Sequence, residues 1–327
     1  MTATWAPAGP RARPLTASYR PAPAASGAGP AHHPTSGPRG RPLFPAWRRR
    51  WNDVKTAVLL AGLGGVLVGL GSLFGEAGAV VGLGLGIAAV AGSYWFSDRL
   101  ALAASGAVPV GQHELPGYRA MVEDLCARAG LPVPRLYVIP AAQPNAFATG
   151  RNPRHAAVAV TTGLLDTLPP RELEAVLAHE LAHVGNRDVL LSSVAAALAT
   201  GISFLAHLAG WLPLLGRADD EEHPSALGAL VAMLVAPFAA LLLQLALSRS
   251  REYEADRTGA ELLGDGHALA SALARIERAA QRVPLPVEPA QAAAWVVNPL
   301  AGDPSALTTL FRTHPPTAAR IARLVGS

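Results

Sequence analysis

Charge is scarce in this sequence. Asp, Glu, Lys and Arg supply 15% of its 327 residues, against about a quarter in ordinary soluble domains, while half of the residues are hydrophobic and the mean hydropathy is +0.27. A chain so poor in charge suggests a membrane protein carrying a modest polar domain. Cysteine is nearly missing: the single Cys126 excludes an internal disulfide, argues against redox chemistry and leaves a cytosolic setting open for the polar part. Lysine is nearly missing too. Lys55 is the only one, so the basic residues are almost all arginine, and residues 1–52 hold eight of these and no acid. The formal charge of +4 therefore belongs to the N-terminal segment. No folded basic surface accompanies it, so a nucleic-acid partner is not expected.

That segment, residues 1–52, holds ten of the 29 prolines and lacks the apolar periodicity needed to bury a face, so it is expected to be a disordered Pro/Arg-rich tail. The first apolar run starts only at Thr56, too late for a secretory signal. The basic end of the tail, Arg48 to Arg50 between Trp47 and Trp51, suits a cytoplasmic membrane anchor.

Between Lys55 and Asp98 the only charge is Glu76. The stretches TAVLLAGLGGVLVGLGSLF and AVVGLGLGIAAVAGSYWF are each about the ~20 residues that a bilayer crossing needs, which predicts a two-helix transmembrane hairpin over residues 54–97. Gly65 and Gly69, then Gly82 and Gly86, recur at i,i+4, a spacing that lets helix backbones approach in lipid; a merely Gly-rich composition explains them equally well. Two more uncharged runs, Val189 to Gly216 and Ser225 to Leu247, predict a second pair over 189–247, the alternative being buried helices of a soluble domain. Counting spans from the Arg48–Arg50 end puts the tail, residues 98–188 and residues 248–327 on the cytoplasmic side. The Glu76 turn and the Asp219 to Glu222 loop then lie outside, in line with the positive-inside bias.

Residues 98–188 combine helix and strand signals. In YRAMVEDLCARAG, Tyr118, Met121, Val122, Leu125 and Ala129 fall at helical spacing before Gly130. RLYVIP, NAFATG and AAVAVTTGLL are short β-rich runs bounded by Pro, Gly and Asn, which predicts a small sheet. A helix then starts near Pro169 and Pro170, capped by Asp166 or Thr167, with Glu172 and Glu174 at its positive end. On it His179 and His183 stand one turn apart around Glu180, the HExxH arrangement, in which two imidazoles share one zinc ion and the glutamate takes a proton from water.

A catalytic zinc needs three protein ligands and an open position. SREYEADRTG offers Glu252, Glu254 and Asp256. Helical spacing puts Glu252 and Asp256 on one face, suited to a ligand and to an acceptor behind a ligand histidine, with Glu254 roughly 200° away. The alternative is a solvated acidic face pairing with Arg251 and Arg257.

NAFATG, HELAHVGNRD, SREYEADRTGAELLG and THPPTAARIARL occur along the chain in that order. Together they resemble the HtpX-type heat-shock membrane metalloproteases, gluzincins related to the CAAX prenyl endopeptidases, over about residues 54–327. The resemblance implies a mainly α membrane protein with four transmembrane helices and a cytoplasmic α+β zincin-like domain. That domain would be built from residues 98–188 and 248–327, in the cell membrane. It implies one zinc per chain held by His179, His183 and Glu252, with Glu180 as the base, Asp256 behind the ligands, His314 at the oxyanion and Arg320 holding that corner. The edge strand for the substrate would be Asn145, Ala146, Phe147, Ala148, Thr149 and Gly150, though a plain structural strand fits those residues as well. The implied reaction is hydrolysis of internal peptide bonds in membrane or misfolded proteins. The competing classes are a catalytically silent zinc-binding membrane scaffold and a CAAX-type prenyl-protein protease.

Overall fold

The computed structural model describes residues 42–72, 75–193, 249–282 and 315–326. The long tail up to residue 41, nearly all of the expected second transmembrane pair and His314 lie outside the described residues.

Two long helices open the described chain, α1 (Ala46–Ser72) and α2 (Gly75–Ala104), packed as a hairpin. Both are long and apolar enough to cross a membrane, over Ala46–Gly69 and Gly75–Gly92. They bury little of that apolar surface: Val58, Val80, Val81, Leu83, Leu85 and Ile87 all point outward, as suits a hydrocarbon surround. The close approach runs through different glycines from those spaced at i,i+4 in α1. Gly65 and Gly69 face open space, whereas a Cβ on Gly71 would lie 2.2 Å from the carbonyl oxygen of Gly78 and one on Gly82 would lie 2.4 Å from that of Leu67. Helix α1 also begins inside the segment expected to be tail. Arg48 to Arg50 are helical, and just before them Leu43 is buried in the core while the Phe44 ring fills the space beside Gly185. The apolar pair Leu43–Phe44 gives this piece of a Pro/Arg-rich segment something to bury.

The polar domain is a small four-stranded sheet with helices on it. Its strands are β1 (Val108–Pro109), β2 (Arg135–Ile139), β3 (Ala146–Gly150) and β4 (Ala156–Thr161), in the order β1-β2-β4-β3. β2 and β4 run parallel, and β3 is antiparallel to β4 with Ala146 opposite Val160 and Gly150 opposite Ala156. The three β-rich runs of the sequence supply β2, β3 and β4. Helix α3 (Pro116–Ala129) buries Tyr118, Met121, Val122, Leu125, Cys126 and Ala129, and ends at Gly130 in the left-handed conformation, the usual terminator.

After β4, the short helix α4 (Thr162–Thr167) is capped by the Thr161 hydroxyl. Asp166 and Thr167 belong to α4 rather than capping the next helix. That helix, α5 (Pro170–Asn186), starts with Pro169 at the cap and Pro170 in the first turn, where a missing N–H costs nothing. It is buried on nearly every side, between β3, α3 and the later helices α6 (Arg249–Leu263) and α7 (Gly266–Ala280). Asp265 caps α7 through the Ala268 N–H, and the last described helix, α8 (Thr317–Val325), packs on α7 and α6.

The helix carrying HExxH does not run unbroken toward the next apolar segment. Arg187 adopts φ 60°, ψ 30° and donates its N–H back to His183 and Val184, and helix resumes only over 188–193. A non-glycine residue in this conformation is uncommon. The break turns the chain, with consequences at the candidate site.

Candidate metalloprotease active site

His179 and His183 project from one face of α5, their rings nearly perpendicular with centroids 4.8 Å apart. The two Nε2 atoms are 3.2 Å apart. Helix α6 brings the Glu252 carboxylate against them, Oε1 3.6 Å from His183 Nε2 and Oε2 3.9 Å from His179 Nε2. Donor atoms about 2.0–2.1 Å from a tetrahedral zinc stand about 3.3 Å from one another. Two imidazoles and a carboxylate converging at these distances fit one such ion, and His179, His183 and Glu252 are the residues among those described that gather in this way.

Each imidazole is held from behind. His179 Nδ1 lies 2.9 Å from Asp256 Oδ1, and His183 Nδ1 lies 3.2 Å from Asp188 Oδ2. A carboxylate on Nδ1 fixes the ring and leaves the Nε2 lone pair for a metal. Asp256 is in turn gripped by Arg320 of α8, Nε to Oδ2 at 2.8 Å and Nη2 to Oδ1 at 2.6 Å, while Arg320 Nη1 stands 3.9 Å from Glu252. Burial alone would raise the Asp256 pKa, but the Arg320 charge and hydrogen bonds, with His179, bring it down to about 2. Burial also works against a charged His183. The Asp188 hydrogen bond and the charges of Glu252, Asp188 and Glu180 outweigh it and push the imidazole up to about 9. A cation entering the site therefore takes the place of a proton.

Glu180 is 3% exposed. Burial, and secondarily the Glu252 charge, push its carboxyl up to about 7, against the pull of His183, Arg320 and the Ala148 backbone N–H, which donates to it. A carboxyl poised there can both accept and return a proton near neutrality. The same Ala148 contact puts β3 along the site. Residues 145–150 are all buried, the strand's start is held by the Asn145 N–H donating to the Thr161 hydroxyl and the Thr161 N–H donating to the Asn145 carbonyl, and Thr149 Oγ1 meets Ser193 Oγ at 2.8 Å. β3 has β4 on one side and, among the described residues, no strand on the other.

Glu254 points away from the metal ligands. It pairs with Arg257 and, at 3.3 Å, with Arg48 of α1. Asp188 went unread in the sequence because five residues of continuous helix after His183 would set the two side chains about 140° apart. The Arg187 break folds Asp188 back beneath its histidine. Gly185-Asn186 was the available signal, since such residues commonly end helices.

The profile of peptidase family M48 matches residues 114–327. The chain belongs to that family. Among relatives, this M48 chain is 46% identical over 277 residues to the "Protease HtpX homolog" of Pelotomaculum thermopropionicum, covering 84% of this chain and 98% of the relative. It is 47% identical over 279 residues to that of Syntrophotalea carbinolica, again over 84% and 98%. With that of Nostoc punctiforme the identity is 45% over 278 residues, 84% of this chain and 96% of the relative. A crystal structure of S. mikatae Ste24p aligns with 86% of this chain and 67% of its own at 16% identity and a TM-score of 0.45, too loose a likeness for structural comparison. The HtpX resemblance is borne out, and the chain is a membrane metalloendopeptidase. Family membership implies a metal, and the His179–His183–Glu252 cluster can hold one.

Proposed function

We propose that this M48 chain is a zinc endopeptidase working at the cytoplasmic face of the cell membrane on membrane or misfolded proteins. The observation that carries the site assignment is the convergence of His179 Nε2, His183 Nε2 and the Glu252 carboxylate, with a carboxylate behind each imidazole. These three residues would hold one zinc ion, which supplies a Lewis acid for the scissile carbonyl and lowers the pKa of a water toward ~7. Glu180, buried beside the ligand candidate His179, accepts the proton of the attacking water and returns it to the leaving amine. The edge of β3 away from β4, Asn145 to Gly150, would pair with an extended substrate backbone and present its carbonyl, which recognises main chain more than side-chain sequence. His314, by family resemblance, donates to the developing oxyanion, and Arg320 keeps Asp256 and Glu252 in register.

The cytoplasmic placement rests on the charge asymmetry. Arg48 to Arg50 and the exposed Trp47 and Trp51 mark the start of α1, as expected at a cytoplasmic interface. The polar domain lies on that side because α1 and α2 form a hairpin. With the apolar runs of 189–247 as a second pair, four spans would carry both halves of the protease domain on one face.

The deciding experiment is Glu180→Gln in detergent-purified protein assayed on an unfolded protein substrate. Zinc content should stay at one per chain while cleavage falls by about 10²–10⁴-fold, because the carboxylate moves the proton but does not bind the metal. Cleavage at the unsubstituted rate would remove Glu180 from the reaction, and its absence from the unsubstituted chain despite bound zinc would favour the silent scaffold.

A further inference from the structure

Asn52, on the cytoplasmic end of α1, reaches into the candidate metal centre. It is 2% exposed. Its Nδ2 donates to the Asn186 carbonyl at 3.0 Å and to Asp188 Oδ1 at 2.5 Å, so both amide protons are used. The other oxygen of Asp188 is the one 3.2 Å from His183 Nδ1. A continuous relay thus runs from the first membrane helix through one carboxylate to a metal-ligand candidate. Beside it, Asp53 pairs at 2.9 Å with Arg187, the residue at the helix break, but that contact is largely exposed and touches neither Asp188 nor His183.

We propose that Asn52 is a positioning residue of the metal centre. It fixes the plane of the Asp188 carboxylate, and through it the His183 ring, making the first membrane helix a structural part of the metal site. The inference rests on the reading of His183 as a ligand. A carboxylate with one oxygen on an imidazole is free to swing about its own bond, and a donor on the second oxygen removes that freedom. Asp188 needs the restraint because it follows a break and is not held by the continuous helix of α5. A buried side-chain amide at the head of a membrane helix is costly unless its hydrogen bonds are made, and here both partners belong to the turn that carries Asp188.

The test measures zinc affinity of the full chain in lipid nanodiscs by competition with a chromophoric chelator, alongside the thermal midpoint. Asn52→Ala and the isosteric Asn52→Asp, which keeps the shape but loses the donor, should each weaken zinc binding by about 10-fold. Asp53→Ala, which loosens the same helix contact, should stay within about twofold. In combination with Asp188→Asn, Asn52→Ala should add almost nothing, because it acts through that carboxylate. Unchanged affinity in both Asn52 variants, an equal loss in Asp53→Ala, or effects that multiply in the double variant would each overturn the proposal. His183→Ala keeps the two readings apart. If it retains zinc at the unsubstituted affinity, the reading of His183 as a ligand itself fails; if it loses zinc while the Asn52 variants do not, only the role of Asn52 fails.

Discussion

The Asp256 carboxylate stands between a metal-ligand candidate and a buried cation: one of its oxygens is 2.9 Å from His179 Nδ1 and 2.6 Å from Arg320 Nη2. Asp188 holds the other imidazole, but among the described residues no arginine hydrogen-bonds it in this way; the buried Arg251 acts on it through its charge. The two aspartates should therefore differ when substituted. Asp188→Asn and Asp256→Asn should each weaken metal affinity by about 10- to 100-fold. Asp256→Asn should also destabilise the fold, because it removes the carboxylate charge that grips the buried Arg320 guanidinium with two hydrogen bonds and leaves Glu252, at 3.9 Å, as a more distant counter-charge; breaking a buried pair in this way costs up to about 3–5 kcal/mol. Chelator competition and denaturant unfolding of both variants check this; equal stability losses would mean that Arg320 does not depend on Asp256.

Helix α6 presents three acids within five residues, and the geometry divides them. Glu252→Gln should strip the metal, since a neutral amide is a far poorer ligand for a dication. Glu254→Gln should leave metal content and cleavage near the unsubstituted values, because Glu254 faces Arg257 and Arg48. Zinc per chain, measured for both, decides the assignment, and loss of metal from Glu254→Gln alone would reverse it.

Close backbone approach keeps Glu252 and Asp256 at their histidines. A Cβ on Gly259 would fall 2.9 Å from the backbone N of His179 and 3.0 Å from its Cα. Backbone cannot swing aside as a side chain would, so Gly259→Ala should push α6 away from α5. The expected result is a loss of about 1–3 kcal/mol together with weaker metal binding. A variant with normal stability and affinity would show that the two helices tolerate the displacement.

Much of this site was legible because its chemistry lies at short, helical spacings. HExxH places two imidazoles on one face, and Glu-x-x-x-Asp does the same for Glu252 and Asp256, so each half could be read without knowing how the halves meet. The small sheet was legible from β-rich runs between Pro, Gly and Asn. Two kinds of feature were not. Asp188 depends on a single left-handed residue, Arg187, that overrides helical spacing. Asn52 depends on a contact across 136 residues, and nothing local distinguishes it from an ordinary polar residue beside a membrane span. The hairpin glycines were legible only in α2: Gly82 and Gly86 do approach α1, whereas Gly65 and Gly69 face open space, because in so Gly-rich a stretch which glycines meet depends on helix register.

Away from the metal site, the first turn of α5 is fastened to α7 by Glu172, whose Oε1 accepts from Ser271 at 2.8 Å and whose Oε2 accepts from Arg275 at 2.8 Å. Burial would raise this carboxyl, but the bonds from Arg275 and Ser271 and the charges of Arg275 and Arg278 outweigh it and hold the pKa below its ordinary 4.5. A folded-state pKa below the unfolded one means that the ionised form favours the fold. The contribution is complete above the ordinary carboxylate value and is lost as pH falls through the folded-state pKa. Glu172→Gln should consequently lower the thermal midpoint at pH 7, and the gap to the unsubstituted chain should close progressively as the pH is taken below about 4. Because Glu172 lies two turns before His179, zinc content at pH 7 should be unaffected. Thermal unfolding of both proteins across that range is the check. A gap that stays constant through the acid range would assign the effect to packing of the side chain, and no gap at pH 7 would mean that the Glu172–Arg275 pair does not hold α5 to α7.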